Sequence, residues 1–283
     1  MVKSTLSIAP DEEQNPNTPY FIKPSGFRPN SLFVGRKTEL AELDKMLFDK
    51  KRRADGTSAV LIQSMPGGGK THLAREFVYE YKDKFPGGIF WLRAKSHTEI
   101  AAGFWDIARK AVLKDPSRPA TSPNESSLSD PQSFIKLVRK WLNHRRGWLM
   151  ILDGIHFDDY EGLQKFIPDA PDTSLIYTST EKSVSGDHHW INPQIMRLPA
   201  LSAREAQQLL LEELDKKEPF SKDDLKNSMA LVQSMGFLPV VIHAVAQRLK
   251  TTDEQLGRFA RNYASEPRLR GIGAYVAVSS PVD

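Results

Sequence analysis

The feature that most restricts the fold of this chain is a glycine-rich loop between a short apolar segment and a helix-forming one. Residues 58–63 (SAVLIQ) suit a buried strand, and residues 70–84 carry apolar side chains at helical spacing. The loop between them reads Ser64-Met65-Pro66-Gly67-Gly68-Gly69-Lys70-Thr71. Glycines let a loop turn its N–H groups inward, and the start of a helix adds unpaired N–H groups and a positive dipole end. The segment therefore predicts a strand–loop–helix unit that holds an anion.

The rest of the chain continues this alternation and then stops it. Strand-like runs occur at residues 88–92, 148–152 and 174–177, and helix-like runs at 38–49, 98–113 and 131–143. Strands alternating with helices predict a parallel sheet covered by helices on both faces. After residue 198 four helix-like runs follow, at 202–216, 221–235, 238–249 and 253–264. We expect an α/β fold of the P-loop NTPase type, followed by a small helical bundle.

This pattern suggests four parts. Residues 1–30 are polar, contain prolines and show no period, which is typical of a leader or extended arm. Residues 31–196 form the nucleotide-binding domain and 197–265 the helical subdomain. Residues 266–283 indicate a tail or a cut through a longer protein. Within the first domain, residues 115–130 are rich in Ser and Pro and suggest a long surface loop.

The glycine-rich loop predicts a phosphate site with defined roles. Lys70 would reach the β- and γ-phosphates, and the Thr71 hydroxyl would ligate Mg²⁺. The other residues that we assign to the phosphates are Pro66, Gly67, Gly68, Gly69 and His72. Ser64 stands where the usual pattern begins with glycine, so the motif departs from the pattern at that position. The alternative is a glycine-rich turn that holds no ligand.

A second segment supplies a carboxylate for the same metal. Residues 148–153 (WLMILD) form an apolar run that ends in Asp153, and P-loop NTPases place such an aspartate at a strand tip where it helps to hold magnesium. Any catalytic part for Asp153 would act through this Mg²⁺. The alternative is an aspartate that begins a turn before Gly154.

Together these residues resemble the NB-ARC family of STAND ATPases, particularly its fungal members. Residues 33–36 (FVGR) resemble the family's opening motif, 65–74 (MPGGGKTHLA) its Walker A loop and 148–153 its Walker B strand. Residues 198–206 (LPALSAREA) are similar to the entry into its helical subdomain. Residues 236–239 (GFLP) are similar to its Gly-Leu-Pro motif. The resemblance extends from Phe33 to Tyr263 and implies an AAA+/STAND-like arrangement.

The resemblance also implies a function. ADP or ATP would bind with Mg²⁺, and the adenine would be flanked by Phe33, Val34, Arg36 and Pro239. Nucleotide state would control conformation and self-assembly, with homo-oligomers in the ATP-bound form. Family members of this NLR-like type act in cytoplasmic signalling, including innate immunity. The sensed signal and the effector partner stay open.

Three departures from the family pattern bear on hydrolysis. Walker B strands commonly carry a second acidic residue, which orients or activates water, and here that place is Gly154. The next strand often ends in an arginine that senses the γ-phosphate, and here Thr180 stands there. Ser64 is the third departure. Asp158 and Asp159 follow Asp153, but their offset favours a helix start. We therefore expect slow hydrolysis or none, and the family's winged-helix histidine does not occur in this sequence.

Other classes of function fit less well. A fast ATPase or kinase needs the missing catalytic groups, and a nucleotide-free scaffold would follow if the departures emptied the pocket. A nucleic-acid-dependent ATPase ranks last, although the net charge of +4 permits it, because we find no base-stacking aromatics. The basic run at residues 50–53 is expected to be solvated beyond a helix end. The absence of cysteine excludes disulfides and fits a cytoplasmic protein, and no apolar run is long enough to span a membrane.

Overall fold

The computed structural model describes residues 19–117, 130–156, 160–181, 192–252 and 254–265. Within them a six-stranded sheet has the order β1-β3-β4-β5-β2-β6, and each neighbouring pair is parallel. Its strands are β1 (Phe21–Ile22), β2 (Thr57–Gln63), β3 (Gly88–Arg93), β4 (Trp148–Asp153), β5 (Thr173–Ser179) and β6 (Gln194–Arg197). Because β5 lies between β2 and β4, its carboxyl end separates the glycine-rich loop from Asp153.

Helices cover both faces of this sheet, and more helices follow it. Those of the sheet region are α1 (Lys37–Leu47), α2 (Lys50–Asp55), α3 (Lys70–Tyr81), α4 (His97–Ile107), α5 (Pro131–Asn143) and α6 (Tyr160–Gln164). A 3₁₀ turn, Lys82–Lys84, extends α3, and a π turn, Ala108–Val112, extends α4. The later helices are α7 (Ala203–Glu213), α8 (Lys222–Ser234), α9 (Pro239–Thr252) and α10 (Leu256–Ser265).

Alternating strand residues explain why both faces are covered. In β2, Val60 and Ile62 pack with α1 and α3, whereas Ala59 and Leu61 pack with α4 and α5. The side chains of β2 are buried along its whole length, as expected for a central parallel strand. The predicted fold class, a parallel P-loop sheet with helices on both faces and a helical segment behind it, is therefore confirmed.

Two short strands and the short helix α2 were not predicted. The strands β1 and β6 contain two and four residues, too few for an alternating pattern to show. The basic run at residues 50–53 has no buried residue, in line with the expected solvation, and it forms α2. The Asp49 carboxylate caps the first turn of α2 by accepting from the Arg52 N–H. Arg53 donates to the Ser174 hydroxyl and the Asp172 carbonyl, so this run holds α2 against β5.

Part of the expected N-terminal arm packs on the sheet. Phe21 and Ile22 pair with Ile89 and Phe90 of β3, and Phe27 is buried against Trp91. Polar composition hid this contribution, because three aromatic or aliphatic residues carry it. Residues 1–18, most of the predicted loop at 115–130, Asp158 with Asp159, and the tail at 266–283 lie outside the described residues.

The helical bundle has its own core and a well-defined start. Ser202 and Glu205 form a reciprocal capping box at α7, as the sequence pattern suggests. Residues of all four later helices share one buried cluster, which also takes in Val34. The division into four parts stays a prediction. No helix among the described residues is long and apolar enough to cross a membrane.

Candidate nucleotide-binding site

A cavity of about 900 Å³ opens at the carboxyl ends of β2, β3, β4 and β5, where the helical bundle meets the sheet. Ligands of open α/β sheets bind in this position. All the site residues predicted from the sequence line it: Phe33, Val34, Arg36, Pro66, Gly67, Gly68, Gly69, Lys70, Thr71, His72, Asp153 and Pro239. The fold thus brings four separate sequence segments to one place, while their roles toward a ligand stay predictions.

The glycine-rich loop needs its glycines for reasons visible in its backbone. Gly67 and Gly69 have φ of 72° and 95°, which side chains disfavour, and Gly69 precedes α3 as its N-cap. A Cβ on Gly68 would lie 2.4 Å from the Ser64 hydroxyl oxygen. Ser64 itself is absent from the described residues with positive φ. The serine at the motif's first position is therefore compatible with the turn.

Lys70 is a buried cation beneath this loop, with 9% of its surface exposed. Its Nζ donates to the Ser64 and Met65 carbonyl oxygens, both at 3.1 Å, and to the Ser64 hydroxyl at 3.3 Å. Burial lowers the pKa of Lys70 to about 8, although the Asp153 charge works in the opposite direction. An anion in the loop would favour the charged lysine, so phosphate binding and protonation of Lys70 are coupled.

One carboxylate oxygen of Asp153 accepts hydrogen bonds from two threonine hydroxyl groups. Thr71 Oγ1 donates to its Oδ1 at 2.7 Å, and Thr178 Oγ1 donates to the same atom at 2.6 Å. Burial raises the pKa of Asp153 above its ordinary value, and the bonds from Thr178 and Thr71 oppose that rise. Thr178 was not predicted as a site residue. The polar residues that end β5, beside the strand β2 that precedes the glycine-rich loop, could have indicated it.

The donor set at this corner fits magnesium. A hydroxyl and a carboxylate are hard oxygen ligands, and Mg²⁺ is usually bound by one or two carboxylates together with substrate phosphates and waters. Among the described residues no group of three or more His, Cys, Asp or Glu could hold a metal by itself. Thr71 and Asp153 would therefore hold Mg²⁺ only together with a phosphate-bearing ligand, and the ion would supply charge for that ligand's phosphates.

None of the described residues that line the corner beyond Asp153 is a carboxylate. Gly154, with φ of 82°, occupies the place of the second acidic residue, and its N–H donates to Thr178 Oγ1 at 2.8 Å. Thr180 lines the cavity nearby without a positive charge. His156 also lines this corner, and its Nδ1 lies 3.2 Å from Glu181 Oε1. The sequence reasoning did not select His156, whose neighbours along the chain carry no motif.

Arg36 joins the sheet to the bundle instead of extending freely into the cavity. Its guanidinium donates to Glu39 Oε1 and to the Pro199 carbonyl, both at 2.7 Å, and only 4% of Arg36 is exposed. Its N–H donates to Glu205 Oε1 at 2.8 Å, and a Cβ on Gly35 would lie 2.0 Å from that oxygen. The segment that we expect beside adenine is thus fixed by α7.

The bundle touches the glycine-rich loop directly through the start of α9. The Val240 N–H donates to the Gly67 carbonyl at 3.3 Å, and a Cβ on Gly67 would lie 2.1 Å from Val240 Cγ1. Pro239 lies beside Gly69, whose added Cβ would be 3.8 Å from Pro239 Cγ. A change in the conformation of the loop would therefore alter its contacts with α9.

The end of the cavity away from Asp153 is lined by residues that sequence reasoning did not connect. His243 Nδ1 lies 2.7 Å from Glu213 Oε1, and Glu213 is 6% exposed. Asn30 Nδ2 donates to His72 Nδ1 at 3.3 Å. Burial lowers the pKa of His72, as do the charges of Arg75 and His243. No local motif predicts these pairs, because their members are 30 and 42 residues apart.

Comparison with known proteins places the fold in a family. The family model described as an AAA ATPase domain matches residues 32–175, just over half of the chain. The chain therefore belongs to the AAA ATPase domain family, whose members generally bind ATP or ADP with Mg²⁺. A search of curated proteins found no match.

Solved structures share this fold at low identity. Cdc6p from Pyrobaculum aerophilum is 17% identical with a TM-score of 0.52, over 82% of this chain and 66% of that one. The Orc1 protein of Aeropyrum pernix, solved in complex with DNA, is 14% identical with a TM-score of 0.53, over 85% and 68%. A STAND protein with a tetratricopeptide repeat sensor from Pyrococcus horikoshii is 16% identical with a TM-score of 0.45, over 78% and 31%. This chain thus spans less than two thirds of Cdc6p and under a third of the STAND protein.

Proposed function

We propose that this chain is an ADP- and ATP-binding regulatory module in which nucleotide state sets the packing of the helical bundle on the sheet. The single observation that carries the proposal is the hydrogen bond from the Val240 N–H to the Gly67 carbonyl, which joins α9 to the phosphate loop. A ligand that moves this loop changes the bundle's contact with it. Slow hydrolysis would then set the lifetime of the ATP-bound state.

The balance of groups around the phosphates supports a switch more than a fast enzyme. Lys70, Thr71 and Asp153 provide the binding and metal groups, whereas Gly154 and Thr180 supply neither a carboxylate nor a cation. Phosphoryl-transfer enzymes depend on such groups for charge stabilisation and water positioning. Tight binding with slow turnover is the behaviour that this set favours.

The resemblance to NB-ARC and STAND proteins extends the proposal to signalling. In this form the ATP-bound chain would self-associate, and the ADP-bound chain would stay closed, with the bundle held on the loop. The effector and the sensed signal would lie in other segments or partners. The motif order from Phe33 to Pro239 supports this reading.

Hydrogen exchange tests the proposal at the contact that carries it. Exchange of the amides of α9 and α7 would be followed in the nucleotide-free, ADP-bound and ATP-bound chain, with Lys70→Ala as the variant that cannot respond. We expect the two nucleotides to give different protection in α9 and no difference in Lys70→Ala. Nucleotide binding by the wild type would be verified separately. Identical protection in the nucleotide-free, ADP-bound and ATP-bound wild type would then rule out the switch. Sedimentation of the same samples tests self-association.

A DNA-dependent ATPase is the second candidate, favoured by the fold likeness to the Orc1 protein that was solved with DNA. This function predicts an affinity for duplex DNA that falls steeply with salt, since phosphate contacts release counterions. It also predicts that DNA accelerates ATP turnover. A chain that binds nucleotide but gives neither effect fits the regulatory module.

A further inference from the structure

Among the described residues, the proposed nucleotide site shows no carboxylate free to activate water. The carboxylates among the described cavity residues are Asp153 and Glu213. Asp153 Oδ1 already accepts hydrogen bonds from Thr71 and Thr178, and its metal role would engage it further. Glu213 is engaged with His243, whose Nδ1 lies 2.7 Å from its Oε1. Among the described residues, a base for water would therefore be of another residue type.

Three histidines among the described residues line the cavity, and one of them lies at the sheet edge that carries Asp153. His72 belongs to α3, and its Nδ1 accepts from Asn30; His243 belongs to α9. His156 instead follows β4 by three residues, on the same sheet edge as Asp153. It thus lies nearest in the chain to the missing carboxylate at Gly154.

The backbone holds His156 in place at this edge. The Ile155 N–H donates to the Thr178 carbonyl at 2.9 Å, and the Ser179 hydroxyl donates to the Ile155 carbonyl at 2.9 Å. Ile155 is only 1% exposed, so its side chain anchors the segment in the core. The chain beyond β4 therefore continues along β5 and carries His156 to the cavity wall beside Thr180.

Glu181 gives the imidazole a defined orientation. Its Oε1 lies 3.2 Å from His156 Nδ1, while its own backbone is held by the Ser179 hydroxyl at 3.1 Å and by Gln63 Nε2 at 3.0 Å. An ionised carboxylate only accepts hydrogen bonds, so Nδ1 carries the hydrogen. The neutral ring then keeps a lone pair on Nε2, on the side away from Glu181, which is the form that a general base requires.

We propose that His156, oriented by Glu181, is the general base of a slow nucleoside triphosphate hydrolysis in this cavity; this rests on the proposed nucleotide function. Nε2 takes a proton from water as the water oxygen bonds to the γ-phosphorus. The bond from that phosphorus to the β–γ bridging oxygen breaks, and its electron pair leaves with the diphosphate. The imidazolium then returns its proton to solvent. His156 is catalytic, and Glu181 is a positioning residue.

The test is single-turnover ATP hydrolysis, with protein in excess, measured across pH. In the wild type we expect the rate to depend on pH. His156→Asn removes the base and should slow hydrolysis by about 100-fold or more, with a flat pH profile and ATP affinity within about twofold of the wild type. His144→Asn, an exposed histidine after α5, is the matched control and should behave as wild type. Glu181→Gln should slow the reaction less than His156→Asn and alter its pH dependence, because the base remains but loses the carboxylate that orients it.

The outcomes separate this inference from the function on which it rests. Equal rates and equal pH profiles for wild type and His156→Asn would overturn the base. So would a wild type that binds ATP and turns over none of it, although the binding module would then stand. A wild type that binds no nucleotide would remove the proposed function itself. His156→Gln is a second variant that retains side-chain bulk. A wild-type hydrolysis rate in that variant would independently contradict the assignment of His156 as the base.

Discussion

The two ends of the cavity are built in different ways. The phosphate end comes from one continuous loop, residues 64–71, with Asp153 and Thr178 from the neighbouring strands. The far end is assembled from the N-terminal segment, α3, α7 and α9, including Asn30, His72 and the His243–Glu213 pair. The turns of the loop are set by its own glycines, whereas the His243–Glu213 pair of the far end lies entirely on the bundle helices. We expect the phosphate end to bind the ligand and the far end to change its contacts when the ligand binds.

Breaking the contact between the two ends should have the largest effect. Gly67→Ala would place a Cβ 2.1 Å from Val240 Cγ1 at a φ of 72°, so the loop must shift or α9 must move away. We expect ADP affinity to fall on the order of 100-fold, as several charge-assisted bonds are lost. Isothermal calorimetry measures this.

Gly236→Ala is the matched control for this prediction. Gly236 has a similar φ of 65°, but nothing lies within 4 Å of its added Cβ. It should cost only the roughly 1–2 kcal/mol of a left-handed backbone, seen in thermal unfolding, with ADP affinity unchanged. Equal loss of ADP binding in both variants would show that backbone strain, and not the contact with α9, is responsible.

Removing the metal corner should affect magnesium more than nucleotide. Asp153→Asn keeps the shape but removes the negative charge that Thr71 and Thr178 face. The gain in ATP affinity on adding Mg²⁺ should fall by roughly tenfold or more, since a charge-assisted ligand is lost. Titrations of ATP with Mg²⁺ and with EDTA provide the measurement. Thr178→Val, which leaves Asp153 and Thr71 in place, should retain most of the gain, and a full loss there would contradict the assignment of Asp153 as the ligand.

The pKa of Lys70 makes nucleotide affinity depend on pH with a definite sign. Since burial lowers that pKa to about 8 in the free protein, a growing fraction is neutral above pH 8. Phosphate favours the protonated form, so binding takes up a proton and affinity falls by up to about tenfold from pH 7 to pH 9. Calorimetry at pH 8 in buffers of different ionisation enthalpy counts the protons. No proton uptake would show that Lys70 does not meet the phosphates.

The far end should produce the smallest effect, and only for ligands with a nucleoside. Glu213→Gln weakens the hold on His243 but leaves the loop untouched. We expect ADP affinity to fall by roughly threefold to tenfold, about the value of one hydrogen bond, with pyrophosphate binding unchanged. Competition assays with both ligands test this. Parallel losses for ADP and pyrophosphate would erase the distinction between the two ends.

The same contrast explains what the sequence could predict. The sheet, the phosphate loop and Asp153 follow from apolar strands and from glycines that only certain turns require, so they can be found by pattern. The strand β1 and the burial of Phe27 could not be found, because two residues show no period. His156 with Glu181 and His243 with Glu213 depend on tertiary contacts between segments 25 and 30 residues apart. The fixing of Arg36 by Glu39 and Pro199 was likewise invisible in the motif.

Calorimetric titration of ADP with Mg²⁺ into the wild type and Lys70→Ala shows whether the glycine-rich loop binds nucleotide. Lys110→Ala, which changes an exposed lysine paired with Asp106, is the surface control. We expect micromolar or tighter binding by the wild type and the control, and binding lost in Lys70→Ala. Wild-type chain that binds no nucleotide, or Lys70→Ala chain that binds as the wild type does, would contradict this expectation and would leave the cavity without the function proposed here.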